Sequence, residues 1–158
     1  YPMAVEAAKL LRDRGLDFVW FFLGDGADRA AVEAKISVYG LEDTVRLKGF
    51  VMNPYAYMSA CDIYVHPAYL EAQPLAIMEA IVLGKAIVST DSLGGKAVLN
   101  YGEKGLLVSQ NAGAIAEGIM KMNGDPALKA SFENRYTPED NLREKKAYAQ
   151  NWDALLSE

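Results

Sequence analysis

The chain has 158 residues, 16 basic against 21 acidic, with a formal net charge of −5; 51% of its residues are hydrophobic and 23% charged. This is the composition of one soluble globular domain, and scattered basic residues on an acidic chain exclude a nucleic-acid-binding surface. A single cysteine, Cys61, excludes a disulfide framework and fits a reducing compartment, a single histidine, His66, excludes a His-rich metal site, and no apolar run is long enough to cross a membrane.

Residues 2–14 carry the spacing of an amphipathic helix, with Val5, Ala8, Leu10 and Leu11 on one side and Gly15 as its stop. The strand expected before such a helix has no counterpart, because Tyr1 already stands at the helix start. Residues 17–23 (DFVWFFL) read as a strand buried on both faces, with Phe18, Trp20, Phe21 and Phe22 as core side chains. Gly24-Asp25-Gly26 is a turn, 27–39 a helix ending at Gly40, and 45–48 a short strand. Residues 54–60 form a helix opened by Pro54, 63–66 a strand, 74–83 a helix and 86–90 another strand. A strand at 105–108 and a helix at about 112–123 follow; the tail, 126–157, reads as helical with a break at Thr137-Pro138.

Strands alternating with helices predict one Rossmann-like α/β domain over 1–158: a doubly wound parallel sheet, helices on both faces, C-terminal helices alongside. Ligands of such sheets lie beyond the carboxyl ends of the strands, which restricts the search to 24–26, 49–54, 67–74 and 91–96.

The informative stretch is 67–84, PAYLEAQPLAIMEAIVLG. Pro74 suits the first position of a helix whose residues 75–83 hold one charge, Glu79, so the helix is expected to be buried all round. A carboxylate there needs a partner. Glu71 precedes it in the loop, and the helix start between them offers unpaired amides and a positive dipole end. Amides for a phosphate and carboxylates for sugar hydroxyls make that pairing chemically sensible. The plainer reading keeps Glu71 as a solvated loop residue and Glu79 as a satisfied core carboxylate, and paired carboxylates also serve glycoside hydrolysis.

Other candidates carry less. Gly24-Asp25-Gly26 lacks the third glycine of a dinucleotide fingerprint, because position 29 is Arg. Asp25 reads as a turn or cap residue, Cys61 as a small buried one, and Lys9 and Arg12 as solvated surface charge. His66 is either structural or a ligand contact, and Ser89-Thr90-Asp91 either touches phosphate or makes a turn. Tyr148, Trp152, Leu155 and Leu156 form an apolar stripe through which the chain could dimerise.

Glu71-Ala-Gln-Pro-Leu-x3-Glu79-Ala-x3-Gly84 resembles the E-G-F-P-x4-E-A-x3-G signature of retaining family 4 glycosyltransferases with the GT-B fold. The order of Leu23-Gly24-Asp25-Gly26, Val45-x-Leu47-x-Gly49, Pro54, Tyr57, Asp62, Val65-x-Pro67, Gly94-Gly95 and Gly102-x2-Gly105-Leu-Leu-Val108 is similar too. The resemblance runs from about residue 17 to 124. It implies the C-terminal, donor-binding half of a two-domain enzyme that transfers a hexose-type sugar to a saccharide or lipid-linked acceptor in cell-surface polysaccharide or glycan synthesis. Glu79 would accept from the ribose hydroxyls. Glu71 would lie at the reacting face of the sugar as the catalytic candidate, acting chemically or as a positioner. Ala72, Gln73, Pro74 and Leu75 would border the sugar and pyrophosphate, Val51 and Met52 the base, and Gly24, Gly26 and His66 the rest of the donor.

The resemblance further implies a UDP- or GDP-sugar as substrate, no other cofactor and no metal. It also implies a cytoplasmic enzyme, or one peripheral at the inner face of the membrane. The expected partner is an acceptor-binding N-terminal domain, which together with the first strand and the phosphate-clamping Arg-x4-Lys would precede Tyr1; this fragment alone would be inactive. The sequence departs from the pattern at Ala72 and Gln73 and at Lys96-Ala97-Val98, which bears on sugar identity. Readings from other classes are a non-catalytic α/β interaction or regulatory module, and a different GT-B enzyme such as an epimerase.

Overall fold

The computed structural model describes residues 1–133. In chain order these form α1 (Pro2–Asp13), β1 (Trp20–Leu23), α2 (Arg29–Val38), β2 (Val45–Gly49), α3 (Pro54–Ala60) and β3 (Tyr64–His66). Then follow α4 (Leu75–Val82), β4 (Ile87–Thr90), α5 (Leu93–Val98), a 3-10 turn at Asn100–Gly102, β5 (Leu106–Val108), α6 (Ala112–Gly124) and α7 (Pro126–Phe132). All strand pairs are parallel, as crossovers through helices require. The fold is Rossmann-like α/β, but the ladder falls into two pieces, β1-β2 and β3-β4-β5, with no pairing between β1 and β3.

Alternating side chains send the sheet's two faces to different helices. On one face α1 lies between α2 and α6. Met3, Ala7 and Leu11 meet Val88, Ile115 and Met122, while Ala4, Val5 and Ala8 meet Phe22, Val32 and Val45. The alanines let α1 approach closely on both flanks. On the other face Met58 of α3 and Ile77 and Ala80 of α4 enclose Ile87 and Leu99. β4 is buried throughout, as befits the middle strand of three.

Four expectations need correction. β1 is shorter than 17–23 and is not buried on both faces: Phe22 is buried, but Phe21 is 43% and Val19 54% exposed, and among the described residues β1 pairs with β2 alone. Phe21 therefore meets Tyr57 edge-on, with Lys48 over its ring, outside the core. α4 is apolar yet only striped with burial. Ile77 and Ala80 face the sheet, while Leu75, Met78 and Val82 face outward, because the helix has the sheet on one side alone. Arg12 is not a free surface charge. Its guanidinium donates to Tyr39 O at 2.7 Å and Gly40 O at 2.6 Å, satisfying carbonyls at the end of α2, while Lys9 pairs with Asp13. α5 lies where no helix is expected.

The expected break at Thr137-Pro138 and the stripe of Tyr148, Trp152, Leu155 and Leu156 lie outside the described residues. Among the described residues no helix is long and apolar enough to cross a membrane.

Candidate functional site

The loops that leave β1, β2, β3 and β4 at their carboxyl ends share one rim of the molecule. Gly24 N–H donates to Gly49 O at 2.8 Å, which sets the Gly24–Gly26 turn against the end of β2 and the start of the Phe50–Met52 loop. Gly24 takes φ +104°, a conformation few other residues hold cheaply. Asp25 is a turn residue: its Oδ1 accepts from Gly26 N–H at 2.9 Å, and Arg29 lies 3.7 Å from the same carboxylate. Val51 is half-buried and Met52 almost fully exposed.

The loop at 67–74, after β3, is tied down at several points. Thr90, buried at the end of β4, donates from Oγ1 to Ala68 O at 2.6 Å and to His66 O at 3.2 Å. Gln110 holds Tyr69 O at 3.1 Å, and Gly94 N–H holds Glu71 O at 2.9 Å. Gly94 is buried so close that a Cβ there would stand 2.6 Å from the carbonyl oxygens of both Glu71 and Ala72. Ser89 and Thr90 thus spend their hydroxyls inside the protein, and Asp91 pairs with Lys96 at 3.2 Å.

On this scaffold Glu71 Oε2 meets His66 Nε2 at 2.6 Å, and the other ring nitrogen, Nδ1, lies 3.3 Å from the Tyr64 hydroxyl. Tyr64 and His66, two apart on one strand, share a face, so the three side chains run in line from the sheet to the loop. Burial pushes the Tyr64 phenol far above its usual range, with the charges of Tyr1, Glu71 and Glu79 adding to the shift.

Glu79 is half-buried on α4 and accepts from the Tyr55 hydroxyl at 3.1 Å, a bond that raises the Tyr55 pKa. His66 and Glu79 both line a cavity of about 560 Å³ whose other walls include Leu23, Pro54, Pro67 and Ala76. Glu71 is not among its lining residues but is bonded to His66, which is. Gly24 and Gly26 line a separate hollow of about 120 Å³ with Tyr1 and Arg29.

Pro74 precedes α4 as its N-cap instead of opening its first turn, and it has no N–H to offer. Leu75 N–H is taken by Gln73 O at 3.0 Å, so Ala72 and Gln73, both exposed, are the residues of 72–75 whose amides are not used in this way. Cys61 is half-buried; its Sγ lies 3.2 Å from Met58 O, and burial raises its pKa. No cluster of metal-ligating side chains occurs among the described residues.

Sequence reasoning missed Tyr55 and Tyr64, and it weighed Thr90 for phosphate or a turn where the structure uses it to anchor the 67–74 loop. Tyr64 had a signal, its two-residue spacing from His66 on a strand. Tyr55 and Thr90 act across 24 and 22 residues, separations that no local pattern encodes.

The geometry defines a Rossmann-like domain with a crevice at the carboxyl edge of a parallel sheet, lined by Glu79 and by His66, to which Glu71 is bonded. The chain belongs to the glycosyl transferases group 1 family, whose model matches residues 1–137. It is 30% identical over 121 residues to the N-acetylgalactosamine-N,N'-diacetylbacillosaminyl-diphospho-undecaprenol 4-alpha-N-acetylgalactosaminyltransferase of Campylobacter jejuni, covering 75% of this chain and 33% of that protein. It is 31% identical over 126 residues to the putative colanic acid biosynthesis glycosyltransferase WcaL of Escherichia coli, covering 74% and 31%. The chain thus spans about a third of the length of these curated relatives.

Among solved structures it resembles Anabaena Alr3699/HepE in complex with UDP and glucose, with TM-score 0.76 and 20% identity over 100% of this chain and 46% of that one. It also resembles the C-terminal domain of the group 1 family protein LpcC from Francisella tularensis, with TM-score 0.73 and 21% identity over 83% and 72%. These likenesses concern the GT-B fold.

Proposed function

We propose that this domain binds the nucleotide-diphosphate sugar donor of a retaining glycosyltransferase that builds a polysaccharide or glycan. The observation that carries the reading is the placement of His66 and Glu79 on one crevice at the carboxyl ends of the strands, with Glu71 bonded to His66 and Glu79 to Tyr55 among the described residues. A carboxylate so held keeps acceptor sites for hydroxyls. In this reading Glu79 takes the ribose, Glu71 faces the reacting end of a hexose-type sugar, and the amides of Ala72 and Gln73 meet the pyrophosphate.

A UDP- or GDP-sugar is the donor, with no metal assigned. The activity belongs to a longer protein with an acceptor-binding domain, acting in the cytoplasm or at the inner face of the membrane. Two relatives support this reading by name, as transferases acting on an undecaprenol-linked saccharide and in colanic acid biosynthesis.

Calorimetric titration of the chain with UDP-, GDP- and ADP-sugars tests it. One of them is expected to bind at up to millimolar concentration, and Glu79→Ala is expected to weaken it by about 10-fold or more, the loss of a charge-assisted hydrogen bond. Unchanged affinity in a folded Glu79→Ala variant would sink the ribose role, and no binding by any donor would sink the reading.

A further inference from the structure

β3 carries two rings on one face, Tyr64 and His66, with centroids 6.2 Å apart and planes tilted by 30°. The Tyr64 ring packs against the cluster of Met58, Ile77, Ala80, Ile87 and Leu99, which seats its apolar body and leaves its hydroxyl 3.3 Å from His66 Nδ1. His66 is held by its strand, in register with Ser89, and by Thr90, whose Oγ1 donates to its carbonyl. Glu71 is held by Gly94, whose N–H donates to the Glu71 carbonyl at 2.9 Å. The backbone is thus fixed at both residues, and what remains to be set is the turn of the imidazole and of the carboxylate.

The two ring nitrogens decide that. An ionised carboxylate only accepts, so the 2.6 Å contact between Glu71 Oε2 and His66 Nε2 needs the proton on Nε2. Nδ1 of a neutral ring is then a lone pair on a side chain only 13% exposed, and it needs a donor. The Tyr64 hydroxyl supplies one, and burial, which raises its pKa, keeps it a phenol. A hydroxyl also accepts, so it would hold the ring equally were Nδ1 protonated too. Turning the imidazole by half a revolution would put ring carbons where both nitrogens stand and break both bonds at once.

We infer that Tyr64 is a positioning residue for the donor sugar: acting through His66, it fixes the orientation of the Glu71 carboxylate. This role rests on the donor reading of Glu71 and needs no contact between Tyr64 and the sugar. The bond to His66 engages Oε2, and a carboxylate so held offers its other oxygen at a set angle. Sugars that differ at one hydroxyl differ in the angle at which they meet it, so a preset acceptor selects among them, whereas a swivelling one would adapt to each.

The chain's single histidine makes the first test unambiguous, and that test needs no ligand. Long-range proton–nitrogen correlation at about pH 8.5, above the ordinary imidazole range, is expected to show Nε2 protonated and Nδ1 as a hydrogen-bonded acceptor. In Tyr64→Phe, which keeps the ring in the core, the Nδ1 resonance is expected to move to that of an unbonded lone-pair nitrogen. Protonation on Nδ1 alone in the parent chain, or an Nδ1 resonance that does not move in the variant, overturns the inference.

The second test compares the Kd of the UDP- or GDP-sugar that binds the parent chain with that of the same nucleoside diphosphate lacking the sugar. Tyr64→Phe is expected to weaken the sugar nucleotide about 5-fold and to leave the diphosphate within about two-fold. His66→Gln presents an amide that donates to Glu71 with no tautomer to set, so adding Tyr64→Phe to it is expected to change neither Kd. Equal loss for both ligands, or a loss as large in the His66→Gln background, marks a merely structural tyrosine and overturns the inference. If the parent chain binds no sugar nucleotide, the donor reading fails, and the imidazole signature alone decides whether Tyr64 orients the carboxylate.

Discussion

Tyr64 shows how one buried side chain makes stability depend on pH. Its phenol is pushed above the ordinary value of 10.0, chiefly by burial. A group whose folded pKa is raised contributes stability that is complete below the unfolded value and lost as pH climbs from there toward the folded value. The chain is therefore expected to weaken in the alkaline range, with an onset near the ordinary phenol value, while remaining indifferent to Tyr64 at neutrality. Tyr64→Phe, which cannot ionise, flattens that decline. Urea midpoints at about pH 8 and about pH 10.5 measure it. An alkaline loss as steep in Tyr64→Phe as in the parent chain would refute the assignment. Tyr1 is also raised by burial and Tyr55 by its bond to Glu79, so some slope remains.

Helices and strands were legible where one periodicity ran uninterrupted. α3 matches 54–60 at both ends, and α1 and α6 lie within a residue or so of their expected bounds. α5 was not legible. Its sequence, LGGKAV, sets two glycines side by side, and glycine disfavours a helix by about 1 kcal/mol per residue relative to alanine. Contact with the 67–74 loop accounts for what propensity does not: Ser92 caps Gly95 N–H at 3.1 Å, and Gly94 lies against the carbonyls of Glu71 and Ala72.

Gly94→Ala sets a helix-propensity gain against a methyl 2.6 Å from two backbone oxygens that cannot rotate away. Overpacking wins, by an expected net loss of about 1–3 kcal/mol. Chemical denaturation measures it, and an unchanged midpoint would show that the loop yields freely. α4 carries the opposite lesson. Its apolar composition announced burial, but composition does not say on how many sides a helix is covered. Glu71 and Glu79 were readable as the charges of their stretch; that Tyr55 and His66 hold them was a matter of packing.

At the scale of the molecule, the described residues leave cavities of about 710 and about 560 Å³ that both touch Trp20, Phe21, Ile63 and Val65. Phe21, within β1, and Val19, just before it, stay exposed, and the two cavities keep apolar walls. The folded chain is therefore expected to bind an apolar dye such as anilinonaphthalene sulfonate in buffer without denaturant. A Phe21→Ser variant, changed on the wall the two cavities share, is expected to lower the dye's fluorescence at least about two-fold, as apolar surface is removed. Equal fluorescence from both would mean that the dye sits elsewhere, for instance on the outward side of α4.

The hydroxyl of Thr90 has a thermodynamic consequence. By gripping the carbonyls of His66 and Ala68 it hangs the loop that bears Glu71 from the buried middle strand. Ordering of that loop is then part of folding, and a ligand arriving at the rim meets a surface that has already lost its freedom. Affinity at the crevice and stability of β4 become one linked quantity. Heating or mild denaturant, which loosen the strand, should weaken binding before the fold is lost.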